Sequence, residues 1–197
     1  MNNYENFGVK MNKKTILTSI FILTAMLPSL SLAEVGRKAP SADGLISAGP
    51  YYNPATKSYF ELRRMQDVPG KQTRWFGAKD LAEKLVFKGT QGHLATVKNL
   101  ETHQFIMRNF KAGNYWIGLQ YFCSSQSLKW VDGTDAGQSG FSAWDTQWSN
   151  TDIRCANMNY MPVHYTTHTA TKALRWRASG PNKGYVLYLV EYPTGKE

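Results

Sequence analysis

Residues 115–134 read YWIGLQYFCSSQSLKWVDGT, and the fold turns on how this stretch divides. YWIGLQYF is aromatic and β-branched, the composition of a strand. SLKWVDGT follows as a second strand that enters a turn at Asp132-Gly133. Beyond it, residues 134–152 hold few aliphatics and much Gly, Ser, Thr, Asn and Asp. That is a long loop, and long loops in compact domains are usually functional. It ends in WDTQWSNTDIRC, residues 144–155. Trp144 and Trp148 offer flat faces for stacking on sugar rings, and Gln147, Asn150 and Asp152 offer partners for hydroxyls. With Asp145, the same carboxylates could hold a calcium ion, which wants six to eight oxygens. Composition alone leaves a sugar site, a metal site and a polar cap on the core all open.

Upstream, SYFELRRM (58–65) alternates enough to be a strand. TRWFGAKDLAEKLVF (73–87) predicts a helix, with Trp75, Ala78, Leu81, Ala82 and Leu85 at three- and four-residue spacing and Gly89 and Gly92 beyond as stops. A short apolar piece, Leu94 to Val97, precedes a second helix. Asn99 is its expected N-cap, Thr102 and His103 lie in its first turn, and Phe105, Ile106 and Phe110 form its buried face. Downstream, IRCANMNYMPV and YVLYLVEY (185–192) read as strands, with HYTTHTATK as a polar segment between them. His164 and His168 would share one face of a helix and could then hold zinc. The threonine run argues against a helix and no third ligand is near, so no metal is expected there. One strand, two helices and then mostly strands make the fold class α+β.

The chain is 197 residues long, suited to one domain. Residues 11–33 have two lysines, an apolar run from Ile16 to Leu27, Pro28, and small residues at Ser31 and Ala33. This is the pattern of a secretory signal peptide with Met11 as initiator and cleavage near Ala33-Glu34. The run is shorter than the ~20 residues of a membrane span. The expected organisation is therefore a signal peptide over 1–33, a small, polar, Gly- and Pro-containing flexible arm over 34–50, and a domain over 51–197. A secreted or periplasmic location follows, with no membrane span in the mature form. Losing three lysines and one glutamate with the leader takes the formal charge from +9 to +7. Such a balance favours anionic partners such as acidic polysaccharide, lipid headgroups or nucleic acid, but the charges are scattered as on an ordinary solvated surface. Cys123 and Cys155 are the only cysteines, and in an oxidising compartment an isolated pair is more often a disulfide than a metal or catalytic site.

Five landmarks stand in a telling order: GHLATV (92–97), Glu101 with Phe105, YWIGLQ (115–120), LKWVDGT (128–134) and YVLYLVEY (185–192). In that order they resemble the C-type lectin-like domain over roughly residues 51–193. The resemblance implies two helices flanking a small antiparallel sheet, with a long-loop region as the ligand face. It gives Trp116 and Ile117 to the core, makes Gly118 a point of close backbone packing, and makes His93 a fold residue in a tight connection.

The departures from the family bear on function. Many members hold calcium through Glu-Pro-Asn or Gln-Pro-Asp in the loop and a later Trp-Asn-Asp. Here the loop reads Gln147-Trp148-Ser149-Asn150, without proline, and the later tripeptide is Trp176-Arg177-Ala178. A guanidinium beside the cation site opposes calcium, so no metal or other cofactor is expected. Arg175 and Arg177 flank Trp176 on a strand and would point the same way, suited to a carboxylate, sulfate or phosphate on a ligand. The family's first disulfide, between first helix and last strand, is absent, and apolar packing of Leu81, Leu85 and Val190 has to replace it. Cys155 matches the loop-side cysteine, whose usual partner is missing. Cys123 is the alternative, and a Cys123–Cys155 bridge would brace the base of the loop. No nucleophile elbow, phosphate loop or His-Glu-x-x-His occurs. The expectation is a non-enzymatic, secreted bacterial recognition module. It would bind glycan or a cell-surface protein without calcium, and no nucleic acid, through Trp144, Gln147, Trp148, Asn150, Asp152, Arg175 and Arg177. The alternative is a structural subunit whose loop is buried in a larger secreted complex.

Overall fold

The computed structural model describes residues 45–65, 74–145 and 154–197. In chain order these form β1 (Leu45–Asn53), β2 (Ser58–Arg64), α1 (Trp75–Glu83), β3 (Val86–Phe87), β4 (Thr90–Gln91) and β5 (His93–Leu94). Then come α2 (Leu100–Asn109), β6 (Tyr115–Phe122), β7 (Ser127–Trp130), a short 3-10 turn (Ala136–Ser139), β8 (Tyr160–Thr167), β9 (Leu174–Ala178) and β10 (Leu187–Tyr192). The expected signal peptide and most of the expected arm lie outside the described residues, as do residues 146–153 of the loop. No helix among the described residues is long and apolar enough to cross a membrane.

The sheet runs β1-β2-β10-β6-β8-β9, with β5 paired to β10 and β7 to β6. Every pairing in it is antiparallel except β10 on β6. The sheet is therefore mixed, where an antiparallel one was expected. β2 and β6 run in opposite directions, so a strand between them must be parallel to one of the two.

Alternation along the strands sends side chains to two cores. Tyr115, Ile117 and Leu119 of β6, Val163 and Tyr165 of β8, and Trp176 of β9 pack with Phe105 and Ile106 of α2 and with its C-cap residue Phe110. On the opposite side Trp116, Tyr188, Val190 and Tyr192 pack with Trp75, Ala78 and Ala82 of α1 and with Leu85 just beyond it, and Leu81 lies at the margin. A strand covered on both faces needs a near-continuous apolar run, which is why YWIGL carries no polar residue. The indole of Trp75 donates to the Ile117 carbonyl at 2.7 Å and pins α1 to the central strand. Gly118 is required by proximity: a Cβ there would stand 2.5 Å from the Leu94 carbonyl oxygen and 2.8 Å from Val131. Asn99 caps α2 by accepting from the Thr102 amide at 2.8 Å.

Three boundaries differ from the sequence expectations. α1 stops at Glu83 instead of reaching Phe87, because Lys88 and Gly89 both take positive φ. Those two residues turn the chain so that Phe87 pairs with Thr90 and Val86 with Gln91, the geometry of a two-residue primed hairpin turn. β1 begins at Leu45 and takes the last six residues expected in the flexible arm, because Leu45–Asn53 finds a partner strand in β2. β8 starts at Tyr160, later than expected, and runs through His164 to Thr167. The first four residues of the segment expected to be a polar connection, 164–167, are thus strand, with 164–166 buried.

Candidate ligand-binding site

The long loop leaves β7, passes through the 3-10 turn and returns alongside β9. There the Trp176 amide donates to the Ala143 carbonyl at 2.7 Å, and the Asp145 amide donates to the Trp176 carbonyl at 3.0 Å. Ala143–Asp145 so covers the outer edge of β9, which would otherwise expose a row of unpaired backbone groups. Trp144 sits half-buried with its ring edge-on to Trp176, centroids 5.8 Å apart. Gln147, Trp148, Asn150 and Asp152 lie outside the described residues.

Asp145 is the centre of the loop's root. Its carboxylate is fully buried and bonded through one oxygen to Arg177, with Nη2 at 2.8 Å and Nε at 3.0 Å. The other oxygen lies 3.7 Å from Nε2 of His168. A buried carboxylate needs a cation or several hydrogen bonds to offset its desolvation, and the guanidinium provides both. Arg177 occupies the place in Trp176-Arg177-Ala178 where the family pattern has a calcium-ligating asparagine. The cation at the loop root is thus a side chain of the chain itself, the Arg177 guanidinium. Arg175 and Arg177 have the half-buried exposure expected on either side of buried Trp176, but their partners differ. Arg177 serves Asp145, whereas Arg175 turns back to donate to the Leu174 carbonyl at 2.9 Å. They are not gathered on one point.

The base of the loop is closed by the disulfide between Cys123, just after β6, and Cys155, with Cα atoms 5.8 Å apart. His164 and His168, four residues apart along a strand and its end, stand about 13 Å from each other by strand rise, too far to share a metal. No group of three or more possible metal-ligating His, Cys, Asp or Glu side chains occurs among the described residues. His164 is buried against Trp116 and Tyr185. Burial lowers its pKa to about 4, the hydrogen bond to the Tyr165 carbonyl opposes this, and the charges of Arg177 and Lys183 add to the lowering. His103 is likewise buried, stacked on Tyr165 at 5.6 Å, with its pKa lowered to about 4 by burial and then by Arg175.

The Asp145–Arg177 pair was not foreseen from the sequence. The signal was present in Trp176-Arg177-Ala178, since an arginine at the end of a buried strand calls for a carboxylate. Which of the loop's three aspartates answers it depends on the backbone pairing of residues 143–145.

The lectin C-type domain profile matches residues 75–179, more than half of the chain. The chain belongs to the C-type lectin domain family. Among solved structures of such domains, the calcium-independent C-type lectin SPL-2 from Saxidomus purpuratus is 17% identical, with 71% of this chain and 88% of that one covered and a TM-score of 0.50. The cow carbohydrate-recognition domain of CD23, solved in the presence of a GlcNAc2Man3 oligosaccharide, is 15% identical over 78% of this chain and 95% of that one, also at 0.50. The Kupffer cell receptor Clec4f is 22% identical over 75% of this chain and 83% of that one, again at 0.50. At these identities the likeness is one of C-type lectin fold. A sequence comparison with curated proteins finds no match.

Proposed function

We propose that this C-type lectin domain is a calcium-independent recognition module, not an enzyme, that binds carbohydrate or a glycosylated cell-surface protein through its long-loop face. One observation carries the reading. The loop-root carboxylate, Asp145, is already bound to Arg177 at 2.8 Å, so the loop is anchored to the sheet without a metal ion. The contact residues of this reading are Gln147, Trp148, Asn150 and Asp152, while Trp144 packs on Trp176. The Saxidomus purpuratus lectin, a calcium-independent member with the same fold, supports this reading. Export supports the same reading. A Cys123–Cys155 bridge belongs to an oxidising compartment, as the leader-like residues 11–33 suggest.

The test is a glycan array run with the full mature chain, with calcium and with chelator. Equal binding under both conditions, reduced by Trp148→Ala, is expected. Binding abolished by chelator would overturn the calcium-free reading. Failure to bind any glycan, together with stable co-purification of one protein, would favour an assembly subunit with the loop buried in its interface.

A further inference from the structure

A second polar feature lies on the side of the β8–β9 hairpin that faces away from the Trp176 core. His164 and Thr166 of β8, Arg177 and Ala178 of β9, Ser179, Lys183 and Tyr185 from the connection to β10, and Asn114 before β6 enclose a cleft of about 290 Å³. Among the described residues no acidic side chain lines it, and two cationic ones, Arg177 and Lys183, do. The volume is near the lower end for small-molecule sites, enough for one sugar ring or its charged substituent and too little for a chain.

The hydrogen bonds in the cleft fix who can donate. Nδ1 of His164 lies 2.9 Å from the Tyr165 carbonyl, which can only accept, so Nδ1 carries the proton. Nε2 must then accept, and its partner at 3.0 Å is the Tyr185 hydroxyl. The tyrosine proton is therefore spent inward, and the phenol oxygen faces the cleft as an acceptor, within 3.4 Å of the Ser179 hydroxyl. Around it stand donors. Arg177 uses Nε and Nη2 on Asp145 and has no partner for Nη1 among the described residues. Lys183 lies exposed with its ammonium 5.7 Å from the centroid of the Tyr185 ring. Burial, with the charges of Arg177 and Lys183 adding to it, keeps His164 neutral and so keeps its Nε2 an acceptor.

We propose that this cleft binds one oxyanion carried on a sugar, a carboxylate or a sulfate ester, with Lys183, Arg177 and Ser179 donating to the anion and Tyr185 accepting from a neighbouring sugar hydroxyl. Cationic donors beside one fixed acceptor match an acidic sugar better than a bare anion, since a bare anion would meet the phenol oxygen unprotonated. The inference rests on the recognition reading only in placing the anion on a sugar. It uses none of residues 146–153.

The test is an NMR titration of the full mature chain with glucuronate, glucose 6-sulfate and glucose, following the backbone amides of Ser179, Lys183 and Tyr185. Glucuronate or glucose 6-sulfate should shift these amides in a saturable, salt-weakened manner, glucose should not, and whichever acid binds more tightly identifies the anion. Lys183→Glu should weaken binding roughly tenfold or more, the loss of one charge-assisted contact, and Lys183→Arg should restore most of it. Lys183 is exposed, so these variants leave the core untouched. Equal binding of glucose, no shift with either acid, or unchanged affinity in Lys183→Glu would overturn the proposal. None of these outcomes bears on array binding through Trp148. Conversely, loss of array binding with glucuronate still seated in the cleft would sink the long-loop reading alone.

Discussion

Asp145 and Arg177 show how much one substitution in a motif can decide. With its side chain wholly buried and Arg177 about 30% exposed, Asp145 depends on that guanidinium. Arg177→Ala would leave the carboxylate uncompensated, and removing one partner of a buried pair costs about 3–5 kcal/mol. Urea unfolding should show a loss of that order. Adding Asp145→Asn to Arg177→Ala should recover a large part of it, because the orphaned charge is then gone. Additive losses would mean that the two residues do not act as a pair. At this scale the sequence was informative wherever a residue has a single steric or capping reason. Asn99 as N-cap could be named from its neighbours, and Gly118 as a close approach from the family resemblance. The pair at the loop root could not, because its carboxylate and guanidinium lie 32 positions apart and meet only through the parallel pairing of Trp144 with Trp176.

The elements themselves were legible where hydrophobic periodicity was long and clean, as in α2 and β6. They were misjudged where a local backbone event interrupts the pattern. Leu85 is buried as helical spacing requires, yet α1 has already ended, because the turn at Lys88-Gly89 forms a hairpin in place of another helical turn. β8 was displaced for a related reason, since its threonines and His164 look polar by composition but are sealed between β6 and β9. Two predictions belong to this scale. Gly118→Ala puts a methyl 2.5 Å from the Leu94 carbonyl oxygen, backbone that cannot swing aside. It should cost about 1–3 kcal/mol or more, as overpacking does, visible as a lowered Tm with an unchanged circular-dichroism spectrum. Replacing both cysteines with serine opens a loop spanning 32 residues. By loop-closure entropy this should reduce stability by about 3–4 kcal/mol. Wild type under reducing conditions should unfold with the same midpoint as that double variant.

Across the whole molecule, two helices cover opposite faces of one sheet, and each face holds a buried histidine without a buried acid to neutralise it. His103 packs between Tyr165 and Phe141, and His164 packs between Trp116 and Tyr185. Both have folded-state pKa values lowered from 6.5 to about 4. For a base whose pKa is depressed by folding, the unfolded chain binds the extra proton. Stability is therefore fully present above pH 6.5 and is lost as pH falls toward 4. Each histidine contributes about 3 kcal/mol to that loss. Glu61 works the other way. Burial raises its pKa against the opposing effects of Arg63 and Tyr192, so its contribution is present at low pH and is lost as pH rises through its folded value. Two histidines, each lowered by more than two units, outweigh one carboxyl. Unfolding at pH 5 should accordingly show a net uptake of protons, the histidines' uptake being offset in part by release from Glu61, and the unfolding free energy should fall between pH 6.5 and 4. His103→Gln should flatten that slope by about half whatever its effect on stability at pH 7. A slope unchanged by the substitution would mean that His103 is protonated inside the folded domain, with its charge balanced by a group other than Tyr165.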